Sequence, residues 1–219
     1  MTKYLLLCGL TIAAVTAHAQ LDEGQIITSV HANYFSSRAE LFISARFNHY
    51  RTVHLCPAVS KAIKKNLLVG GGLMLEAFYS RSRTQSSNAA LYEGEGLGGF
   101  IFIRKYFPLG KRLYFFGGAA LYYRHQWTRT QPNYFLNTNF RQRNKELGIS
   151  LHPGLSHNIG KRFGLELGVN HIVGFSLRRT AYGAPGNSLD YIRSSGFSTN
   201  LNMTNPFSLG MRYSLGKKK

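Results

Sequence analysis

Residues 162–178 contain a long alternation of apolar and polar side chains. Every second position from Phe163 to Leu177 is apolar except His171, whereas the positions between them are small or polar and include Glu166. Because side chains of a β-strand alternate between its two faces, one face of this segment is apolar and the other is polar. A carboxylate at the middle of the polar face favours a barrel strand whose apolar side meets lipid and whose polar side lines the interior.

The same alternation recurs along the chain and predicts eight strands. They cover residues 25–35, a segment that ends at Ser60, and residues 66–81, 94–107, 112–128, 144–158, 162–178 and 196–215. The start of the second strand is left open within residues 36–52, because the alternation continues there without a clear boundary. This segment could be a long protruding strand or an apolar loop.

Connections between the predicted strands alternate in length. Short connections cover residues 61–66, 108–111 and 159–161, and long ones cover residues 36–46, 82–93, 130–142 and 179–195. Bacterial outer-membrane barrels have short periplasmic turns and long extracellular loops. Because an open sheet edge in lipid would leave backbone groups unpaired, the sheet must close. The fold class is therefore all-β, an eight-stranded antiparallel up-and-down transmembrane β-barrel with both termini in the periplasm.

The first nineteen residues have the features of a cleavable signal peptide. Lys3 precedes a short apolar run from Leu5 to Val15, and Ala17-His18-Ala19 is a small-x-small cleavage site. The apolar run is too short to span a bilayer as a helix. We therefore expect residues 1–19 to be a signal peptide and residues 20–219 to be the barrel, located in the outer membrane of a Gram-negative bacterium.

The chain is strongly basic, with 27 Lys and Arg against 9 Asp and Glu. Such a balance can indicate nucleic-acid binding. In a secreted chain whose basic residues lie in turns and loops, contact with anionic lipid head groups is the better interpretation, and we expect no nucleic-acid partner. Cys56 is the only cysteine left after processing, so no internal disulfide can form.

Several charged residues are predicted to face the interior. Because eight strands leave a lumen that side chains can fill, and unpaired buried charges are costly, we expect a network of ion pairs that plugs the lumen. The predicted members are Glu76, Arg104, Arg124, Glu166 and Arg212. A narrow ion channel gated by these residues is the alternative interpretation.

Aromatic residues are predicted to form girdles at the two membrane surfaces. The upper girdle would contain Tyr123 and Trp127, and the lower girdle would contain Phe107, Phe115, Phe163 and Tyr213.

Seven arginines in the long segments are predicted to bind lipopolysaccharide phosphates, since guanidinium groups suit phosphate geometry. They are Arg81, Arg83, Arg129, Arg141, Arg143, Arg179 and Arg193. Alternatively, residues 130–142 and 179–195 could bind a surface ligand. The aromatic anchors would then be Tyr134, Phe135, Phe140, Tyr182 and Tyr191.

Two other kinds of site were considered and are not expected. His54, Cys56 and His152 face inward, but the strands that carry them lie on opposite walls, so no metal site or cofactor is predicted. His171 lies near Ser176 and Glu166 in the sequence, but it falls on the opposite face of the strand. A nucleophilic site needs such groups within hydrogen-bond reach, so no catalytic residue is assigned.

Three segments of the chain resemble a known family. They are Arg104-Lys-Tyr-Phe-Pro-Leu-Gly110, Tyr114-Phe-Phe-Gly-Gly118 and Leu151-His-Pro-Gly-Leu155. Over residues 25–215 the chain resembles the small outer-membrane β-barrel domain family, of OmpA/OmpX type within the porin-like superfamily. The resemblance implies a non-enzymatic barrel that the outer-membrane assembly machinery inserts. Its expected role is structural or at the cell surface, with a surface adhesin as the alternative.

Overall fold

The computed structural model describes residues 21–41, 46–84, 87–131, 140–169, 172–183, 190–199 and 207–215. The segment predicted as a signal peptide, residues 1–19, lies outside this part of the chain. Across these ranges, no helix is long and apolar enough to cross a membrane.

Ten β-strands occupy the described ranges. They are β1 (Ile26–Leu41), β2 (Arg46–Lys64), β3 (Leu67–Thr84), β4 (Ser87–Pro108), β5 (Leu113–Gln131), β6 (Phe140–Asn158), β7 (Phe163–Val169), β8 (Val173–Gly183), β9 (Asp190–Thr199) and β10 (Phe207–Ser214). The second predicted strand therefore begins at Arg46, which settles the boundary that the sequence left open.

The strands form one closed antiparallel sheet. Neighbouring strands pair from β1 to β6, then β6 pairs with β7, β7 with β10, and β10 with β1. β7 and β8 both lie beside β6 and together fill one position in the wall. β9 lies beside β8 and β10 lies beside β7, so β9 and β10 together fill the next position. The ten strands therefore make an eight-stranded barrel, as predicted.

The apolar side chains lie on the outside of the wall and the polar ones on the inside. Along β7, exposed and buried side chains alternate from Phe163 onward. Leu167 on the outer face is 45% exposed, whereas its neighbour Glu166 is 1% exposed. On β10, Leu209 is 61% exposed and Arg212 is 4% exposed. The arrangement is the inverse of a soluble protein, in which apolar side chains form the core.

The predicted strand 162–178 is interrupted, which corrects the expectation of one continuous strand. Gly154 of β6 lies opposite Gly168, and Leu151 of β6 lies opposite Val173. Three residue steps along β6 therefore correspond to five steps along the neighbouring segment. The two extra residues fall between β7 and β8. Because their number is even, β8 keeps the same inward and outward phase as β7. The predicted strand 196–215 corresponds to two strands, β9 and β10, and His171 lies outside the described residues.

The predicted long loops are shorter than expected, because the strands continue into them. β1 and β2 stay paired up to Leu41 opposite Arg46, and β3 and β4 stay paired up to Thr84 opposite Ser87. Segments 36–46 and 82–93 are thus largely hairpin arms. In the second arm, the polar run of residues 82–88 removes the alternation on which the sequence prediction depended.

Two prolines occupy wall positions where the hydrogen-bond ladder is interrupted. Pro153 lies opposite Gly117 on one side, and on the other side it lies at the break between β7 and β8. Pro57 lies opposite Val30, and the ladder between β2 and β3 skips it. Since proline has no backbone N–H, these are the positions in the sheet that tolerate it.

Gly72 lies where the wall has no room for a side chain. A Cβ there would collide with the Pro57 carbonyl oxygen and would lie 2.7 Å from Cζ of Phe100, whereas a Cβ at Gly117 would meet no atom within 4 Å. We therefore expect Gly72→Ala to lower the free energy of unfolding by about 1–3 kcal/mol, as overpacked sites do. Gly117→Ala should change it by less than about 0.5 kcal/mol. Urea unfolding in detergent micelles, followed by circular dichroism, measures both, and equal losses would contradict the assigned register.

Candidate functional site

An apolar floor closes the lumen at the end that carries the short turns, which we call the lower end. It consists of Leu21, Ile27, Ala62, Leu68, Tyr106, Tyr114 and Phe116, all buried. Leu21 is held there by Asn66, whose Oδ1 accepts a hydrogen bond of 3.1 Å from the Leu21 backbone N–H. The backbone N–H of Asn66 in turn donates to the Leu21 carbonyl at 3.1 Å. Residues just before β1 therefore seal the barrel from below.

The Glu166 cluster lies directly above this floor. Arg104 Nη1 donates to Oε2 of Glu166 at 2.7 Å, and the Tyr106 hydroxyl donates to Oε1 at 2.6 Å. His31 Nε2 lies 3.1 Å from Oε2, and Arg212 Nε lies 3.6 Å from Oε1. Side chains from three other strands, the adjoining β10 and β1 and the more distant β4, thus converge on a single buried carboxylate of β7.

Aromatic rings and a glycine shape the surroundings of the two arginines. The Arg104 guanidinium carbon lies 4.4 Å from the centre of the Phe116 ring, and that of Arg212 lies 5.3 Å from the Tyr106 ring. Both distances suit cation–π contacts. A Cβ at Gly164 would lie 2.7 Å from Arg212 Nε, so an inward-facing glycine provides the space for this side chain.

The Glu76–Glu146 cluster lies above, and Arg124 joins its two carboxylates. Nη1 of Arg124 donates to Oε2 of Glu76 at 3.2 Å, and Nη2 donates to Oε2 of Glu146 at 2.8 Å. Arg178 Nη2 donates to the same Glu146 oxygen at 3.0 Å. The Arg178 side chain is 46% exposed, so the cluster reaches solvent at its upper side.

Further side chains complete the hydrogen bonding of the carboxylates of Glu76 and Glu146. The Tyr122 hydroxyl donates to Oε1 of Glu146 at 2.8 Å, and Gln126 Nε2 donates to Oε2 of Glu76 at 2.7 Å. His54 Nε2 lies 3.7 Å from Oε1 of Glu76. Each carboxylate in the lumen therefore has several donors, as buried charges require.

A cavity of about 380 Å³ lies between the two clusters. Its wall includes His31, His54, Cys56 and His152, so side chains that were assigned to opposite walls line one space. His152 Nε2 lies 2.9 Å from the hydroxyl of Ser150, within hydrogen-bond distance. Among the described residues, no group of three or more His, Cys, Asp or Glu side chains has a geometry that could hold a metal ion.

The five residues predicted for the lumen network all point inward, but they form two clusters rather than one. Glu166, Arg104 and Arg212 belong to the lower cluster, and Glu76 and Arg124 belong to the upper one. Sequence reasoning missed further members, which are His31, His54, Tyr106, Tyr122, Gln126, Glu146 and Arg178. His54 was predicted to face inward but was not assigned to the network, and the inward phase of the others along their strands could have identified them.

The aromatic residues predicted for the girdles lie on the outer surface. At the lower end, the rings of Phe107 and Phe115 are 6.0 Å apart between centroids, and those of Phe163 and Tyr213 are 4.8 Å apart. Toward the other end, Tyr123 and Trp127 are exposed on β5.

The arginines predicted for lipopolysaccharide contact lie on strands rather than in loops, which corrects their predicted placement, and their contact with lipopolysaccharide stays a prediction. Arg129 lies opposite Arg141, and Arg179 lies opposite Arg193. Arg81 and Arg143 are exposed on β3 and β6, and Arg83 lies on β3 opposite Phe47. Among the proposed aromatic anchors, Tyr182 and Tyr191 are exposed on β8 and β9, Phe140 begins β6, and Tyr134 and Phe135 lie outside the described residues.

The fold and the lumen define the class of this protein as a closed eight-stranded β-barrel with an apolar exterior and a charged interior. No family model matches the chain, and a search of curated proteins found no match. Among solved structures, it is similar to Neisserial surface protein A (NspA), with a TM-score of 0.40 and 13% identity over 90% of this chain and 99% of that one. It is also similar to the beta domain of the Bordetella autotransporter BrkA, with a TM-score of 0.35 and 10% identity over 90% of this chain and 99% of that one.

Removing the charge of Glu166 tests whether the lower cluster stabilises the barrel. In Glu166→Gln, the guanidinium groups of Arg104 and Arg212 lose their buried counter-charge. We expect the free energy of unfolding to fall by about 3–5 kcal/mol, the usual cost of breaking a buried ion pair. Glu23→Gln, at an exposed position before β1, is the control and should change it by less than about 0.5 kcal/mol.

A double-mutant cycle shows whether the effect comes from the ion pair itself. Adding Arg104→Met to Glu166→Gln should cost much less than making Arg104→Met in the wild-type barrel, because the partner charge is already gone. Additive losses in urea unfolding would mean that the two side chains are not coupled.

Proposed function

We propose that this protein is a non-enzymatic outer-membrane β-barrel of a Gram-negative bacterium, with a lumen closed to solutes and a structural role at the cell surface. The apolar outer surface supports the membrane location. Along β5, outward positions are apolar, aromatic or small from Leu113 to Tyr123. At roughly 2.3–2.7 Å of height per residue, this band is roughly 23–27 Å tall, close to the hydrocarbon thickness of an outer membrane.

The two ends of the barrel support an orientation in that membrane. The lower end carries the short turns, of which one is formed by Lys65 and Asn66. Leu21 and Leu215 also lie at this end, where they bond Asn66 and Ile26. Because periplasmic turns of outer-membrane barrels are short, the lower end and both termini would face the periplasm. The hairpin arms would then extend outside the cell.

The observation that carries the proposal is the closed lumen. The apolar floor is buried, and Glu166 above it is 1% exposed and bonded on both carboxylate oxygens. A solute moving through the barrel would have to displace the floor and separate these ion pairs. The barrel therefore acts through its surfaces rather than as a passage.

Conductance across a planar lipid bilayer tests the closed lumen. We expect the wild-type barrel to insert without producing current steps, because buried apolar side chains form its floor. The triple variant Tyr106→Ala, Tyr114→Ala and Phe116→Ala removes the largest floor side chains and should produce steps if it folds, which circular dichroism verifies. Steady current steps from the wild-type barrel would contradict the proposal.

A role in surface recognition is the second candidate, and the hairpin arms favour it. β1 continues seven residues beyond Tyr34, so its arm extends roughly 16–19 Å further along the axis. Tyr34 is 65% exposed and Tyr50 is 36% exposed near the base of this arm. Because a paired hairpin is already ordered, it loses less conformational entropy on binding than a flexible loop.

Shortening the first hairpin tests this candidate without disturbing the wall. Replacing residues 38–49 by Asn-Gly joins the opposed residues Ser37 and Tyr50 through a tight turn. If the arm recognises a saccharide, wild-type protein should bind members of a glycan array and the shortened variant should lose at least tenfold in affinity, with an unchanged melting temperature. Equal binding by both proteins would exclude the arm as the recognition surface.

A further inference from the structure

A row of basic side chains crosses three neighbouring strands on the outer surface. Lys145 of β6 lies directly opposite Arg179 of β8, which lies directly opposite Arg193 of β9. All three side chains are exposed. Directly opposed residues have Cβ atoms about 4.5–5.5 Å apart, and like charges at that distance destabilise a sheet. None of the ion pairs formed among the described side chains involves this row.

The basic row begins where the apolar band ends. Outward positions along β6 are apolar from Leu155 to Leu147, and the next outward residue is Lys145. On β8 the change falls between Leu177 and Arg179. At this level of an outer-membrane barrel the hydrocarbon region meets the head groups, so the three cations lie at the depth of lipid phosphates.

A groove connects the basic row to the apolar surface below it. Its volume is about 410 Å³, and Lys145, Arg179 and Arg193 form its upper part. Leu147 and Leu177 lie below them in the same groove. The groove is thus amphipathic along the membrane normal, as is a phospholipid or glycolipid at the head-group boundary.

Other parts of the upper rim lack such a row. On β4 the outward residue just above the band is an acid, Glu95. Between β1 and β3, Arg38 and Arg81 both lie opposite His49 rather than opposite each other, and Nε2 of His49 accepts a hydrogen bond from Arg51 Nε. The cations of β6, β8 and β9 therefore form a localised site rather than part of a uniform basic ring.

We propose that Lys145, Arg179 and Arg193 bind the phosphate of a phosphorylated glycolipid in the outer leaflet. A phosphate monoester carries about 1.5–2 negative charges, which matches closely spaced cations. The two guanidinium groups supply forked donors for its oxygens, and the ammonium of Lys145 adds a compact charge. The acyl chains lie against Leu147 and Leu177. This inference rests on the proposed outer-membrane location.

The only tryptophan of the chain is placed to report binding at this site. Trp127 lies opposite Arg143, the next outward residue above Lys145 on β6, and its ring centroid is 4.2 Å from that of His125, which lies opposite Lys145. A lipid that occupies the groove will change the surroundings of this indole ring. Intrinsic fluorescence therefore measures binding without a label.

The test titrates the full refolded barrel in phosphatidylcholine nanodiscs with phosphorylated lipid A and follows Trp127 fluorescence. Arg179→Gln with Arg193→Gln should raise the dissociation constant at least tenfold. Arg51→Gln with Arg81→Gln removes the same number of charges from the other side of the rim and should change it less than twofold. Dephosphorylated lipid A should bind the wild type and the Arg179/Arg193 variant equally.

The other possible results of this titration would overturn either the proposed site or the proposed function. Equal weakening by the two double variants would show that general rim charge attracts the lipid and would overturn the site. Equal wild-type affinity for the phosphorylated and dephosphorylated lipid, or full competition by an equal concentration of inorganic phosphate, would also overturn it. If the Arg179/Arg193 variant does not fold, Arg193→Gln alone should still raise the dissociation constant severalfold. Failure of the wild type to enter nanodiscs would instead contradict the proposed function.

Discussion

Closure of the hydrogen-bond ladder is the constraint on which the rest of this structure depends. In a lipid environment, an unpaired backbone group costs several kcal/mol, because no water can replace its missing partner. The chain meets this requirement by pairing β10 with β1. In this pairing Ile27 lies opposite Ser214, and Ala32 lies opposite Leu209. Residues from the two ends of the described chain therefore have to meet before the wall is complete.

Closure also determines where the charged residues can go. With apolar side chains on the outside, alternate positions of every strand face a narrow lumen, and each charge placed there needs a partner from another strand. Glu166 finds Arg104, which is 62 residues away in the sequence, and Glu76 finds Arg124, which is 48 residues away. The ion pairs of the interior thus link strands that are far apart in the sequence. The apolar side chains of the exterior do not select particular partner strands in this way.

Alternation predicted the number of strands, their phase and the inward direction of Glu166 and Arg104, because each depends only on local sequence. It did not predict which charges pair, since pairing depends on strand tilt and on side-chain reach across the lumen. Tyr106 and Tyr114 were missed as floor residues, because they stand beside outward aromatic residues and the run of rings hides the phase. The hairpin arm of residues 82–93 was missed because strands in water need no apolar face.

The interruptions in the wall follow from the same constraint. β7 and β8 are separated by an insertion of two residues relative to β6, and Leu177 beyond it still faces outward as Leu167 does before it. An insertion of one residue that shifted the register would turn every later side chain of that strand to the other face, placing Phe175 and Leu177 in the lumen and Ser176 and Arg178 toward the exterior. Within the apolar band, the need to keep this phase therefore restricts insertions, and one of even length meets it. Above the band, both faces of the strands meet water and no such restriction applies. The sequence and length of the hairpin arms can therefore vary there without destabilising the wall.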